Sequence, residues 1–129
     1  MDKTERLYDV LGEMLYVVAM ADGVIQAEER QALKKFLSNH AYKGEIEGSF
    51  YYEEKNNHNI DEVYKKVLDC CHSHGPSPIY VEFVEAMKTI ANAVDGIDEK
   101  EEKYIQSFSA NLLARFQRDA EKLMRRDDE

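Results

Sequence analysis

Hydrophobic residues recur at helical spacing in the first part of the chain and predict an amphipathic helix over residues 4–21. The apolar positions follow spacings of three and one, which place them along one side of a helix with 3.6 residues per turn. They are Leu7, Val10, Leu11, Met14, Leu15, Val18 and Ala21. We expect Thr4 to cap the start of this helix and Gly23 to end it, because glycine readily adopts the left-handed conformation that follows a helix.

The rest of the chain alternates between apolar stripes and signals that end helices. A second helix is expected over about 27–39, whereas residues 41–58 break the periodicity and indicate a long loop with room for one short helix. Asn59–Glu62 has the pattern of a capping box and opens a further helix. Two more helices are expected on either side of Gly96. We therefore predict an all-α fold of five to seven helices, in a single domain that covers residues 1–129.

A short motif occurs twice, about 72 residues apart. The first copy is Ala-Asp-Gly-Val-Ile-Gln-Ala-Glu-Glu over 21–29, and the second is Val-Asp-Gly-Ile-Asp-Glu-Lys-Glu over 94–101. A one-residue gap aligns Glu29 with Glu101, and in each copy a long apolar helix ends at Asp-Gly. We therefore predict two pseudo-symmetric helix–loop–helix repeats that bury their stripes against each other. The repeats are expected over about 4–40 and 79–126, with an irregular insert over about 41–59.

This duplicated motif resembles the TerB-like family, which comprises the tellurite-resistance TerB proteins and the related N-terminal domain of DjlA-type co-chaperones. The resemblance covers about 7–40 and 79–113. It implies an all-helical single domain, a role in bacterial stress-response assemblies rather than catalysis, and acidic motif residues as the suspected ligands of a divalent metal ion. The residues carried over are Asp22, Gly23, Glu29, Asp95, Gly96 and Glu101. Because the second motif is one residue shorter, Glu101 and Glu102 are both candidates for its final acid.

The acidic residues of the two motifs suggest a site for a hard cation. Counted against an EF-hand loop, Asp22 and Glu29 fall at positions 5 and 12, but positions 1 and 3 fall on Val18 and Met20, which lack oxygen ligands. If the two loops meet, a divalent ion would relieve the repulsion among their carboxylates. The expected ligands of Ca²⁺, Mg²⁺ or Mn²⁺ are then Asp22, Glu29, Asp95 and Glu101. In the alternative interpretation, Asp-Gly only ends a helix and each glutamate caps the next one.

Two other groups of side chains are candidates for binding. Aromatic residues concentrate in and near the irregular segment, where an exposed patch would suit a protein partner, although the loop could instead pack its own rings. These residues are Tyr42, Phe50, Tyr51 and Tyr52. Cys70 and His74 share a helical face and carry zinc-binding atoms, but a structural zinc site needs four ligands and no further motif supplies them.

Composition narrows the class of function. The formal net charge of −9 at pH 7 disfavours nucleic acid and anionic membranes as main partners. The longest apolar run, over 14–21, is too short for a membrane span, and the mixed-charge N-terminus does not resemble a signal peptide. Two adjacent cysteines do not form a disulfide framework, so we expect a reduced, cytoplasmic protein. The sequence also lacks the common motifs for a catalytic serine, a P-loop or a dinucleotide.

These observations lead to one expectation and two alternatives. We expect a non-enzymatic cytoplasmic stress-response module that binds partner proteins and takes a divalent cation as an optional ligand. The first alternative is a plain protein-interaction domain whose acidic motifs act only as helix caps. The second is a small metal-dependent hydrolase that uses the pooled carboxylates. The sequence leaves the partner, the metal and the oligomeric state open.

Overall fold

The chain folds into α-helices joined by short connections. A computed structural model describes residues 2–94 and 96–127, and in this part of the chain it contains six helices and no strand. The helices are α1 (Lys3–Ala19), α2 (Ala27–Leu37), α3 (Lys43–Asn56), α4 (Ile60–His74), α5 (Ile79–Ala91) and α6 (Glu99–Asp127). The predicted all-α class is confirmed, and the number of helices lies within the predicted range.

Helix α1 forms the centre of the domain. It packs against α3, α4, α5 and α6, so that nearly its whole circumference is buried from Leu7 to Ala19. This explains why its apolar residues extend beyond one stripe, since Tyr16 and Val17 are buried as well. The helix begins one residue earlier than predicted, because the Asp2 carboxylate, rather than Thr4, accepts a hydrogen bond of 2.8 Å from the Glu5 backbone N–H.

The two repeats pack against each other, and the two helices of the second repeat also pack together. Helix α1 of the first repeat lies against α5 of the second, α2 also packs on α5, and α6 packs on both α1 and α5. Leu33 and Leu37 carry the buried face of α2. The rings of Phe83 in α5 and Phe108 in α6 stack with their centroids 5.6 Å apart. The hydrophobic core is therefore shared between the two repeats.

The prediction of a long loop with one short helix over residues 41–58 is wrong. This segment contains the 14-residue helix α3, which packs along α1. Two of its buried positions are polar, Ser49 and Glu53, and these interrupted the apolar pattern. The Ser49 hydroxyl donates to the carbonyl oxygen of Asp9 at 2.5 Å, while Glu53 accepts from the Lys66 ammonium at 3.2 Å. Gly12 allows the close approach of the two helices, because a side-chain carbon there would overlap α3.

A hydrogen-bonded group joins the first repeat to the second near the start of α1. The Glu82 carboxylate in α5 accepts a hydrogen bond of 2.7 Å from the Tyr8 hydroxyl and also pairs with Nε2 of His40. Nδ1 of His40 accepts from the Tyr42 backbone N–H at 3.0 Å. Because Nδ1 acts as an acceptor there, His40 is held in the tautomer that carries its proton on Nε2. The connection between α2 and α3 is thereby fixed to α1 and α5.

Candidate functional site

The glycines of the two motifs adopt similar backbone conformations after α1 and α5. Gly23 and Gly96 have φ angles of 94° and 91°, a region that residues with side chains rarely occupy. The chain reverses at each glycine, and the next helix begins within a few residues. The Asp22 carboxylate supports the first turn by accepting from the Val24 backbone N–H at 3.3 Å. Gly23 and Gly96 therefore follow the ends of α1 and α5, as the pattern predicted.

The glutamates of both motifs cap the helices that follow. Oε1 of Glu29 accepts a hydrogen bond of 2.8 Å from the Gln26 backbone N–H. Oε1 of Glu101 accepts from the Asp98 backbone N–H at 3.3 Å, and Oδ1 of Asp98 accepts in return from the Glu101 N–H at 2.8 Å. Glu102 is instead exposed and accepts from the Gln106 side chain. Glu101, not Glu102, is thus the structural counterpart of Glu29.

The two loops meet and enclose an acidic cleft between the repeats, which we call the repeat cleft. Its volume is about 200 Å³. It is lined by Asp22, Gln26, Glu29, Val94, Gly96, Ile97, Asp98 and Glu101. Three of the four sequence-predicted ligands, Asp22, Glu29 and Glu101, therefore lie together. The fourth, Asp95, lies outside the described residues.

Asp98 is a wall residue of the repeat cleft that was not among the ligands predicted from the sequence. The pattern Asp98-x-x-Glu101 is typical of a helix cap. It does not indicate the cleft, because the cleft forms only when the two repeats face each other. In the first motif the aligned position is Gln26, which also lines the cleft but carries no charge. The site is therefore acidic on both sides without being symmetric.

The repeat cleft concentrates negative charge without a counter-ion from the protein. Glu29 and Glu101 are 4% and 6% exposed. The four carboxylates of the cleft belong to Asp22, Glu29, Asp98 and Glu101. Within residues 2–94 and 96–125, no lysine, arginine or histidine forms an ion pair with any of them. Burial raises the pKa of Glu29, and burial together with the nearby Asp98, Glu29 and Asp22 carboxylates raises the pKa of Glu101 to about 7. The cleft thus favours binding of either protons or cations.

The donor set fits a hard cation better than a soft one, although the carboxylates are not arranged as a closed site. Each of the four acids uses one oxygen to accept a backbone N–H, which leaves its second oxygen free of backbone donors in the described residues. Among these residues, no three acidic, histidine or cysteine side chains are placed so that they could hold a metal ion directly. A cation in the repeat cleft would therefore be coordinated partly through water or after small movements of the carboxylates, as Mg²⁺ commonly is.

The four aromatic residues predicted as a partner surface do not form one exposed patch. Phe50 is 1% exposed and belongs to the core, where Tyr51 packs edge-on against it. Tyr42 stacks on Tyr8 with the ring centroids 4.3 Å apart. Of the four, only Tyr52 is largely exposed, at 58%, whereas Tyr42 and Tyr51 are half-buried. Phe50, Tyr51 and Tyr52 are consecutive residues of a helix and therefore point in different directions. The prediction that the four aromatic residues form one exposed patch is therefore wrong.

The fold and the cleft define a class of protein with two facing helical repeats and an acidic site between them. A family model described as "Tellurite resistance protein TerB" matches residues 8–124, which is nearly the whole chain. The chain therefore belongs to the TerB family, as its duplicated motif indicated. A search of curated proteins and a search of solved structures each found no match. In the part of the chain that the structure describes, no helix is both long and apolar enough to cross a membrane.

Proposed function

We propose that this protein is a non-enzymatic, cytoplasmic module of a tellurite-resistance-like stress response, and that its repeat cleft takes up a divalent cation. The family match supports the first part of the proposal. The second part rests on one observation, namely four carboxylates at a shared cleft with no basic partner in the described residues. The candidate ions are Ca²⁺, Mg²⁺ and Mn²⁺, because hard cations prefer oxygen ligands.

The proposed role of the cation is to set the geometry between the two repeats. Asp22 and Glu29 would hold it from the first repeat, and Asp98 and Glu101 from the second. The ion would supply positive charge that relieves the repulsion between these groups, and it would displace the proton that Glu101 holds near neutral pH. Val24 and Ile97, which are 57% and 37% exposed, lie on the two loops. A partner protein would detect the cation through the position of these two side chains.

A second candidate function is a protein-interaction domain in which the acids serve only as caps. The observation that favours it is that both glutamates and Asp98 already bond to the backbone at the start of a helix. The hydrolase alternative has less support, because the repeat cleft is smaller than the roughly 300 Å³ at which small-molecule sites usually begin. The two remaining functions differ in whether a cation stabilises the protein.

The test is thermal unfolding of protein freed of metal with EDTA, measured with and without Ca²⁺, Mg²⁺ and Mn²⁺. An ion present at about 100 times its dissociation constant should add about 2.7 kcal/mol of stability, or a rise in Tm on the order of 10 °C. The rise should be lost in the Asp22→Asn/Asp98→Asn variant. The matched control, Glu85→Gln/Glu121→Gln, removes the same charge at exposed sites and should retain it. If no ion raises Tm, the cap-only interaction domain is the better account.

A further inference from the structure

The turn between α3 and α4 holds a histidine against a fully buried carboxylate. Glu53, near the end of α3, is 0% exposed. Its Oε2 lies 2.5 Å from Nδ1 of His58, and its Oε1 accepts from the Lys66 ammonium at 3.2 Å. Because an ionised carboxylate has no proton to donate, Nδ1 of His58 carries the proton of this hydrogen bond. The free lone pair of the neutral imidazole is then on Nε2.

Other contacts also fix the position of His58. The buried Tyr16 hydroxyl donates to the His58 carbonyl oxygen at 2.8 Å. The Tyr52 ring lies edge-on to the imidazole, with the ring centroids 5.7 Å apart. Asn57, which ends α3, has a φ angle of 49°, and this left-handed conformation directs the chain into the turn. The orientation of the imidazole is therefore set through both the backbone and the side chain of His58.

The second ring nitrogen of His58 is accessible at the surface. The His58 side chain is 43% exposed. Within residues 2–94 and 96–125, its ring is hydrogen-bonded through Nδ1, and Nε2 has no partner. His58 also lines a cavity of about 210 Å³, together with Glu53, Glu62, Val63 and Lys66. A reagent the size of a phosphoryl group can therefore reach this part of the ring.

The other three histidines lack this combination of features. His40 uses both of its ring nitrogens in hydrogen bonds. Nε2 of His72 lies 2.8 Å from the carboxylate of Asp119, which is exposed. His74 is exposed, and its ring has no hydrogen bond within the described residues. In that part of the chain, only His58 has a buried carboxylate on one ring nitrogen and a second nitrogen that is free.

We propose that His58 is a phosphoryl acceptor whose donor is a phosphoramidate, the chemical class to which the phosphohistidine of another protein belongs. The lone pair of Nε2 forms a bond to phosphorus. The P–N bond of the donor breaks, and the protonated donor nitrogen leaves as a neutral amine with the bonding electron pair. Nδ1 keeps its proton, so the ring gains positive charge as the new bond forms. The Glu53 carboxylate balances that charge.

The two exposed charges in the cavity wall have opposite effects on this step. The Lys66 ammonium has three donors and uses two of them on Glu13 and Glu53, at 3.3 Å and 3.2 Å. The third is left for a phosphoryl oxygen. The Glu62 carboxylate, by contrast, repels the phosphoryl group. The reactivity of His58 therefore follows from the orientation of the nucleophile and not from an affinity of the cavity for phosphate.

The first experiment treats the folded protein with potassium phosphoramidate and follows each histidine by phosphorus NMR and by mass spectrometry of its peptides. His74, which is exposed and unanchored, is the internal reference. We expect His58 to react at least about tenfold faster than His74, because its charge-assisted hydrogen bond strengthens as the ring gains charge. Glu53→Gln keeps an acceptor for Nδ1 but removes the charge, and it should bring the two rates within about twofold of each other. Equal rates at His58 and His74 in the parent overturn the proposal.

The second experiment changes only exposed residues, so that it does not depend on how the core tolerates a substitution. Lys66→Gln should slow the reaction at His58 at least about twofold, and Glu62→Gln should accelerate it by a similar factor. The rate at His74 should stay the same in both variants. Lys65→Gln, an exposed residue outside the cavity wall, is the matched control and should leave the rate at His58 unchanged. A rate at His58 that all the variants leave unchanged overturns the proposal.

Discussion

Replacing Glu101 by glutamine should stabilise the protein above neutral pH, although it removes a residue of the candidate site. Burial and three nearby carboxylates raise the pKa of Glu101 to about 7. The folded protein therefore keeps this proton between about pH 4.5 and pH 7, whereas the unfolded chain releases it. The stability contributed by this group consequently falls as pH rises through that range. Glutamine removes the charge, and its amide oxygen can still accept from the Asp98 N–H in the capping box.

The size of the effect follows from the change in pKa. Each tenfold change in the acid constant corresponds to about 1.4 kcal/mol, so a rise from 4.5 to about 7 sets an upper limit of about 3 kcal/mol. Because water screens charges at the mouth of the repeat cleft, we expect about 1–2 kcal/mol at pH 8. In a domain of 129 residues this corresponds to an increase in Tm of about 4–8 °C.

The assay is urea unfolding of the parent and Glu101→Gln between pH 5 and pH 8.5, with EDTA present. The difference in unfolding free energy between the two proteins should be smallest at pH 5 and should grow to its full value above pH 7. Glu121→Gln, an exposed residue of the same helix, serves as the control and should change stability by less than about 0.5 kcal/mol at every pH. A Glu101→Gln variant that is less stable than the parent at pH 8 would refute this account of the cleft.

Three further predictions concern the fold. Gly12→Ala should destabilise by about 3 kcal/mol in urea unfolding, because the added carbon would overlap the Ser49 side chain and the α3 backbone. Tyr8→Phe should cost about 1 kcal/mol by the same method, since it removes the 2.7 Å hydrogen bond to Glu82. Ending the chain after Arg118 should change Tm by only a few degrees, because side chains beyond that point are exposed up to residue 125.

Helices α1, α4 and α5 could be predicted from the sequence because their buried faces are almost purely apolar. The stripes of α1, α4 and α5 end at glycine or are preceded by capping residues, which places their ends within a few residues. Helix α3 could not be predicted in the same way. Its buried face includes Ser49 and Glu53, and the groups that satisfy them, on α1 and α4, are distant in the sequence.

The candidate site was predictable in its residues but not in its detail. The repeat of Asp-Gly and glutamate indicated that Asp22, Glu29 and Glu101 share one function, and the structure places them at one cleft. The contribution of Asp98 depends on the packing of one repeat against the other, which no local pattern records. The prediction of an exposed aromatic patch assumed a loop. It is wrong because α3 places the Phe50 side chain in the hydrophobic core.

The most direct test of the central claim is an NMR titration with Mn²⁺, whose unpaired electrons broaden the signals of nearby backbone amides. If one ion enters the repeat cleft, the amides of residues 21–29 and 96–101 should lose intensity together at sub-stoichiometric Mn²⁺. The loss should disappear in Asp22→Asn/Asp98→Asn and persist in Glu85→Gln/Glu121→Gln. Broadening that stays within one loop, or that spreads evenly over the acidic surface, would contradict a shared cation site between the repeats.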